Sequence, residues 1–539
     1  MIKVSEDFRR TMWWLHSWAG AGLAGLLFVI FWFGTLSVFD QEIDQWMKPE
    51  LRITSGDNIA LDPIALPQLQ ALDVAQGSEI MIVRPEQRWP TVDIYYTDRA
   101  TGEDGFLRLD PHTGAALKQT NSLAATDFLF PMHYSLHASW QNIGYWIVAF
   151  AALSMLVLVI SGVFIHRKII EEFFTLRPKK PARRVILDLH TLFGVAALPF
   201  YVIMPLSGIM IFATTYFAGP LSLPFAGDLA AAERVLDNGF ERPLAGQAST
   251  TSLGGIDTFI KRAEDIWRQA SGAQGRERSD FVYLHNMHDE NAYISVERYY
   301  ERDGVGMALN HIAFDLKTGE ILSLVNPTPV QQVLAWLKGF HFVQFDHWAL
   351  RWLYFCGGLS GCIMIACGFL LWMNARLRKG AKAPAKVRAA RAFTIGTMTG
   401  TLCATACFFI ANRLLTNAAE LAGFDRAALE VWAFFGVWIA AFAHAALRGR
   451  AAWKDQLWAI AVLTIAAAAL NWITTGDWLM ASMSQSLWAV AGMDIVLLTT
   501  ALTALLTLKA MARQEAGLEK QSGSIGSSQM QPRMSGQAE

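Results

Sequence analysis

The sequence predicts a polytopic α-helical membrane protein: a pseudo-symmetric four-helix core, four further helices, and two α+β domains outside the membrane. Three observations carry this. The 539 residues are 53% hydrophobic and 17% charged, with a positive mean hydropathy, more apolar than an ordinary soluble chain. Apolar runs near the ~20 residues that a bilayer asks of a spanning helix fall at about 16–38, 143–165, 189–215, 350–373, 393–413, 431–447, 457–473 and 487–508, the sixth and seventh being short. Two long polar segments, 40–130 and 218–338, separate the first four of these runs.

The N-terminal segment and first span occupy 1–39. Arg9 and Arg10 precede the run, which ends in "GTLSVFDQEID" without a small-x-small cleavage site, so it is expected to stay as an anchor. Segment 40–130 carries fifteen Asp/Glu against seven Lys/Arg from Asp40 to Asp127, as expected of a stretch moved across the membrane. Residues 131–217 hold the second span, a basic loop and the third span. That loop, "HRKIIEEFFTLRPKKPARR", has seven Lys/Arg against two acids, which places it in the cytoplasm. Segment 218–338 is the second outer domain, and 339–380 the fourth span. The next loop has seven Lys/Arg from Arg376 to Arg391 and no acid, again cytoplasmic. Residues 381–512 add the last four spans, so both termini are expected in the cytoplasm. The tail, 513–539, is rich in Ser, Gly and Gln and is expected to be disordered. A formal net charge of −1 and the lack of a basic stripe speak against nucleic-acid binding. The five cysteines lie in apolar runs and form no disulfide or iron–sulfur pattern.

The core is a repeat. "LHSWAGAGLAGLLFVIFWFG" and "LHTLFGVAALPFYVIMPLSG" each place Gly four and eighteen residues after a His: His16 with Gly20 and Gly34, His190 with Gly194 and Gly208. Each run leads into a polar segment that ends in D-x-x-T-G, at Asp110–Gly114 and Asp315–Gly319, read as hairpin turns. From Asp110 to His137 is 27 residues, and from Asp315 to His341 is 26. Pseudo-symmetry then pairs His16 with His190 at the cytoplasmic end and His137 with His341 at the outer end.

Two facing imidazoles are what a six-coordinate b-type haem requires, and helical bundles build such sites from facing helices. Gly20 and Gly194, one turn from their histidines, would clear room for a flat macrocycle. The expected cofactor is therefore haem b, two per chain. His133 shares a helical face with His137 and is the alternative ligand. His166 and His347 are expected as interfacial anchors or groups supporting the ligands. His112, His285, His288 and His311 are expected on the surface of the outer domains, with "HNMHDE" as a weak metal site, and His444 in a structural role.

The D-x-x-T-G segments resemble PepSY domains. The helices carrying "LHSWAG", "FPMHYSLH", "SGVFIHRK", "LDLHTLFGVAALPF", "FHF" and "LRWLYFCGGLSG" resemble the PepSY-associated transmembrane family, and the similarity continues through "ANRLLT". That resemblance implies an inner-membrane protein of iron uptake, similar to siderophore reductases with two b-type haems, whose partners are a ferric siderophore outside, membrane lipid, and a cytoplasmic or quinol electron donor. No glycine-rich dinucleotide fingerprint follows a strand, so the donor must be separate. Two departures stand out. Tyr201 occupies the place of a His that relatives carry in "LPFH", which puts ligation at that depth in question. "QFDHW" is polar where relatives are glycine-rich, making His347 an addition. Competing expectations are a membrane-anchored binding or regulatory module, which leaves the repeated histidines unexplained, and a permease, for which the core helices lack charged or unwound mid-membrane segments.

Overall fold

The computed structural model describes residues 5–528 except 55, 57–58, 167–174, 237–238, 250–253, 271–276, 301–303, 326 and 377–383, with the backbone alone at 234, 300, 309 and 517–528. The chain divides into two units, 1–376 and 377–539.

The first unit opens with α1 (Glu6–Ser37), whose N-cap Ser5 accepts from the amide of Phe8 and whose first turn carries Glu6 and Asp7, both favourable at the positive end of a helix dipole. α2 (Asp40–Met47) follows directly, then α3 (Asp62–Ala71) and strands β1 (Glu79–Val83), β2 (Val92–Thr97) and β3 (Asp104–Leu109). A short helix α4 (Phe130–Tyr134) precedes the second span, α5 (Ile143–Ile165). The third span is broken: α6 (Ala182–Ala196) and α7 (Leu198–Ile211) meet at a 60° bend. Pro199 sits in the first turn of α7, where a missing N–H interrupts the helical ladder. The hydroxyl of Tyr201 donates to the carbonyl of Phe193 freed at this break, 3.2 Å away.

The second half repeats the plan with α8 (Ile256–Ala270), β4 (Phe281–His285), β5 (Tyr293–Tyr300), β6 (Met307–Asp315), β7 (Ile321–Leu324), α9 (Pro329–Phe342) and the span α10 (Trp348–Asn374). The two outer segments do not form separate bodies, as the sequence reading expected. They share one seven-stranded antiparallel sheet, ordered β3-β2-β1-β4-β5-β6-β7. Each half on its own would leave β1 or β4 as an open edge, and pairing Ile80 with Leu284 and Ile82 with Val282 removes both edges. One core serves both halves: Ile80, Ile82 and Ile94 meet Val282, Leu284 and Val296 under α3 and α8. The two helix starts cap each other, because Asp257 accepts from the amides of Leu61 and Asp62 at 2.8 and 2.9 Å while Asp62 accepts from that of Asp257 at 3.2 Å.

The D-x-x-T-G turns form as read. Asp110 and Asp315 each accept from two following amides, and Gly114 and Gly319 take φ of +68° and +71°, a region that favours glycine. A third copy at Asp98–Gly102 joins β2 to β3.

The long helices of the second unit are α11 (Ala385–Leu414), α12 (Arg426–Arg448), α13 (Ala452–Thr475) and α14 (Trp488–Ser528), with a short helix at Leu479–Ser484 between the last two. The expected disordered tail therefore begins as a continuation of the last helix, where "ARQEAGLEK" is rich in helix formers; residues 529–539 lie outside the described residues. Inside this unit Arg426 pairs with Glu430 at 3.0 Å, and Asn412 donates to the same carboxylate at 3.1 Å. In all, among the described residues, seven helices are long and apolar enough to span a membrane, and the bent pair makes eight, in register with the eight apolar runs.

Candidate functional site

Four histidines of the first unit are brought together in two pairs. The rings of His16 on α1 and His190 on α6 lie with centroids 6.2 Å apart. Those of His133 on α4 and His341 on α9 lie 6.0 Å apart. The first pair sits near the start of α1. The second lies beside Gly34, 18 residues further on and about 27 Å along a helix axis at 1.5 Å per residue, at the end that leads into the sheet.

One local rule places every ring. His16 Nδ1 is 3.0 Å from the carbonyl of Leu158, and its edge lies against Gly162, four residues on. His190 Nδ1 is 2.8 Å from the carbonyl of Met364, with Gly368 beneath it. His133 Nδ1 is 2.9 Å from the carbonyl of Ile30, with Gly34 beneath it. His341 Nδ1 is 2.9 Å from Ser207 Oγ, whose hydroxyl reaches the carbonyls of Ile203 at 2.6 Å and Met204 at 3.1 Å, and the ring's edge meets Gly208. A Cβ at Gly34, Gly368, Gly208 or Gly162 would stand 2.7, 2.9, 3.1 or 3.3 Å from Cε1 of the facing imidazole. Residues four apart share a helical face, so each neighbouring helix offers a carbonyl and, one turn on, the bare backbone that lets the ring approach. With Nδ1–H spent on an acceptor, the tautomer leaves Nε2 with its lone pair, the arrangement that metal-bound histidines use. The Nε2 atoms of the four rings make no hydrogen bond among the described residues.

His137 is not part of this arrangement. α4 ends at Tyr134, so the turn that would carry His133 and His137 on one face is never completed; His137 takes φ +54° and its ring packs 5.2 Å from Phe128. The partner of His341 is thus His133, and the pairing expected for His137 is corrected. His166 caps the end of α5 and His347 the start of α10, both outside the two pairs. Gly20 faces Leu158 and Gly194 faces Met364, where a Cβ would meet neighbours at 3.7 and 3.3 Å. Gly162 and Gly368 are the glycines that the sequence reading missed, since they lie on the other two helices; the shared Ser-Gly of 161–162 and 207–208 was the available signal. His311, expected at the surface, is 8% exposed on β6 opposite Glu297, because the sheet face behind it is covered by the segment around Phe240.

The His133–His341 pair lines a partly open cavity walled by apolar side chains such as Leu27, Phe31, Phe130, Phe200, Met204 and Phe212. Tyr201 is 1% exposed and hydrogen-bonds Ser360 Oγ at 2.7 Å, which ties the bent span to α10. Above the cavity, on the sheet side, lies a buried ion network. Arg88 holds both oxygens of Glu42 at 2.9 and 3.1 Å, Arg351 adds a third contact to it at 2.8 Å, and Asp40 lines the cavity itself. Arg351 is fully buried between the rings of Phe39 and Trp348.

Fold and site together define a multi-pass membrane protein of duplicated design, with imidazole pairs at two levels of one helical bundle. A family model described as the PepSY-associated TM region matches residues 13–375, a span that includes all four histidines and the whole seven-stranded sheet, and the chain belongs to that family. An uncharacterised protein of Pseudomonas aeruginosa is 27% identical over 334 residues, which cover 58% of this chain and 79% of the relative.

Proposed function

We propose that the first unit holds two b-type haems, one between His16 and His190 and one between His133 and His341, and that the protein passes electrons across a bacterial inner membrane to a ferric siderophore, or a similar Fe(III) complex, on its outer side. The observation that carries this reading is the spacing of the rings. Two imidazoles that held one iron through their Nε2 atoms would have ring centres about 6 Å apart, from two metal–nitrogen distances of ~2 Å and ~1 Å from each Nε2 to its ring centre; the two pairs are at 6.2 and 6.0 Å. Two imidazoles that held one iron would not need a fixed angle between their planes, so interplanar angles of 75° and 31° are both compatible.

The donor set separates haem from a bare ion. Among the described residues, no group of three or more His, Cys, Asp or Glu is placed to hold a metal. Two imidazoles alone leave a zinc ion half-coordinated, whereas a porphyrin brings its own four equatorial nitrogens. The cavity around His133 and His341 is lined mainly by apolar side chains, which suits the face of a macrocycle.

When bound, such a group supplies a one-electron couple. The chain supplies the rest: Nε2 atoms as axial ligands, Nδ1 hydrogen bonds that hold the rings in place, glycines that let the rings lie close, and an apolar wall that excludes water. Reduction frees iron because hard siderophore oxygens hold Fe(II) more weakly than Fe(III). The electron comes from a quinol or a cytoplasmic protein. The positive-inside asymmetry supports an orientation with the termini in the cytoplasm and the sheet outside.

The test is to reduce the purified protein with dithionite, add a ferric siderophore without oxygen, and follow the haem bands while a chromogenic chelator traps Fe(II). Reoxidation matched by Fe(II) release supports the reading. A folded, haem-supplied preparation with no haem b overturns it.

A further inference from the structure

We propose that Asp40 takes up a proton when an electron arrives between His133 and His341, so that the outer couple is proton-linked. This rests on the haem reading above. Asp40, at the start of α2, is one of the residues lining the cavity that contains both imidazoles, and it is 4% exposed. Its neighbours leave it poorly compensated. Glu42, two residues on, engages both nearby guanidinium groups: Arg88 at 2.9 and 3.1 Å and Arg351 at 2.8 Å. A further nitrogen of Arg88 bonds Gln344, which also lines the cavity. Asp40 keeps one backbone donor, the amide of Gln41 at 2.8 Å, and a contact with Arg88 at 3.5 Å.

The groups around it act in known directions. Burial pushes the Asp40 carboxyl up to about 7; Arg88 pulls the other way, and the charges of Asp44 and Glu42 add to the rise. Glu42 is as deeply buried, yet Arg88 and Arg351 hold it below the usual carboxylate range. One carboxylate of the cluster is therefore fixed as an anion and the other is poised between states. The other titratable side chains on the cavity wall are the two imidazoles and the phenols of Tyr134, Tyr216 and Tyr354, and phenols do not ionise near neutral pH.

An electron added inside an apolar cavity repels a nearby carboxylate strongly, and a proton on that carboxylate removes the repulsion. The balance is one electron from the reductant, dithionite in the test below, and one proton from solvent: an O–H bond forms at Asp40 as an O–H bond of the donor water or hydronium breaks. The sign follows. Below about pH 7 Asp40 is protonated with or without the electron, and the potential is flat. Above it, the oxidised protein carries the carboxylate, reduction draws in a proton, and the potential falls as pH rises. The slope reaches at most about 59 mV per pH unit, the value of a tenfold change in proton activity for a one-electron couple.

Redox titration of the full-length protein between about pH 6 and 9, followed at the haem bands, tests this. Wild type should show a potential that falls above neutrality. Asp40→Asn should keep two haems per chain, lose the slope and titrate higher at alkaline pH, while Asp40→Glu restores the slope. A wild-type slope in a haem-replete Asp40→Asn protein overturns the proposal. Should Asp40→Asn fail to fold, reduced-minus-oxidised infrared spectra of wild type with isotope-labelled aspartate decide: a labelled carboxylic-acid band appearing on reduction at alkaline pH supports it, and its absence overturns it. A haem-loaded wild type with pH-independent potentials overturns this inference alone, whereas a wild type without haem overturns the functional reading together with it.

Discussion

His133 and His137 are one helical turn apart in sequence and on opposite sides of a helix end in space. Only the first faces His341. We predict that His133→Ala removes about one of two haems per chain, while His137→Ala retains both, measured as haem-to-protein ratio. The glycines divide in the same way. Gly34→Ala would drive a methyl to 2.7 Å from the His133 ring, so the outer haem should be lost or its spectrum changed; Gly20→Ala meets nothing nearer than 3.7 Å and should leave both haems in place. At this scale the pairing of the His16 and His190 rings was legible, because both histidines sit at equivalent places in a visible repeat. The choice of His133 was not, because it depends on where a five-residue helix stops. Gly162 and Gly368 escaped because a ring's neighbour across the bundle has no fixed spacing from it in sequence.

The bent third span shows how an element can carry a departure without losing its role. Pro199 breaks the helix, and Tyr201 repairs the break by bonding Phe193 and ties the span to Ser360. In this structure Tyr201 is part of neither imidazole pair, so a tyrosine at this place leaves the two proposed sites intact. Tyr201→Phe should cost about 1 kcal/mol, the usual net worth of a lost hydrogen bond, seen as a lower melting temperature in detergent with haem content unchanged. The eight spans were legible from hydropathy alone. The bend was not, because a proline in an apolar run marks a possible kink without giving its angle. The D-x-x-T-G turns were legible since Asp and Gly each have a specific backbone task there, although the copy at 98–102 went unread beside the other two.

At the scale of the whole molecule, duplication explains more than either half does alone. Two sequence-related segments close each other's sheet edges through β1 and β4; within each half the helices supply carbonyls and glycines to that half's own two histidines, and each ring pair takes one histidine from each half. A shared sheet was not readable from a repeat, because repeated domains can equally stand apart; which edge pairs with which depends on geometry brought about by the spans. All four histidines lie within the first unit. A chain ending at Arg376 should therefore still bind two haems when made in the membrane, as read by its reduced-minus-oxidised spectrum, and its failure to do so would tie the later helices to the site.

The most direct measurement is the haem b content of the purified protein by pyridine haemochrome assay, with His190→Ala and His133→Ala alongside. The account predicts about two haems per chain in wild type and about one in each variant. A folded wild type with none, or variants that both keep two, would contradict it.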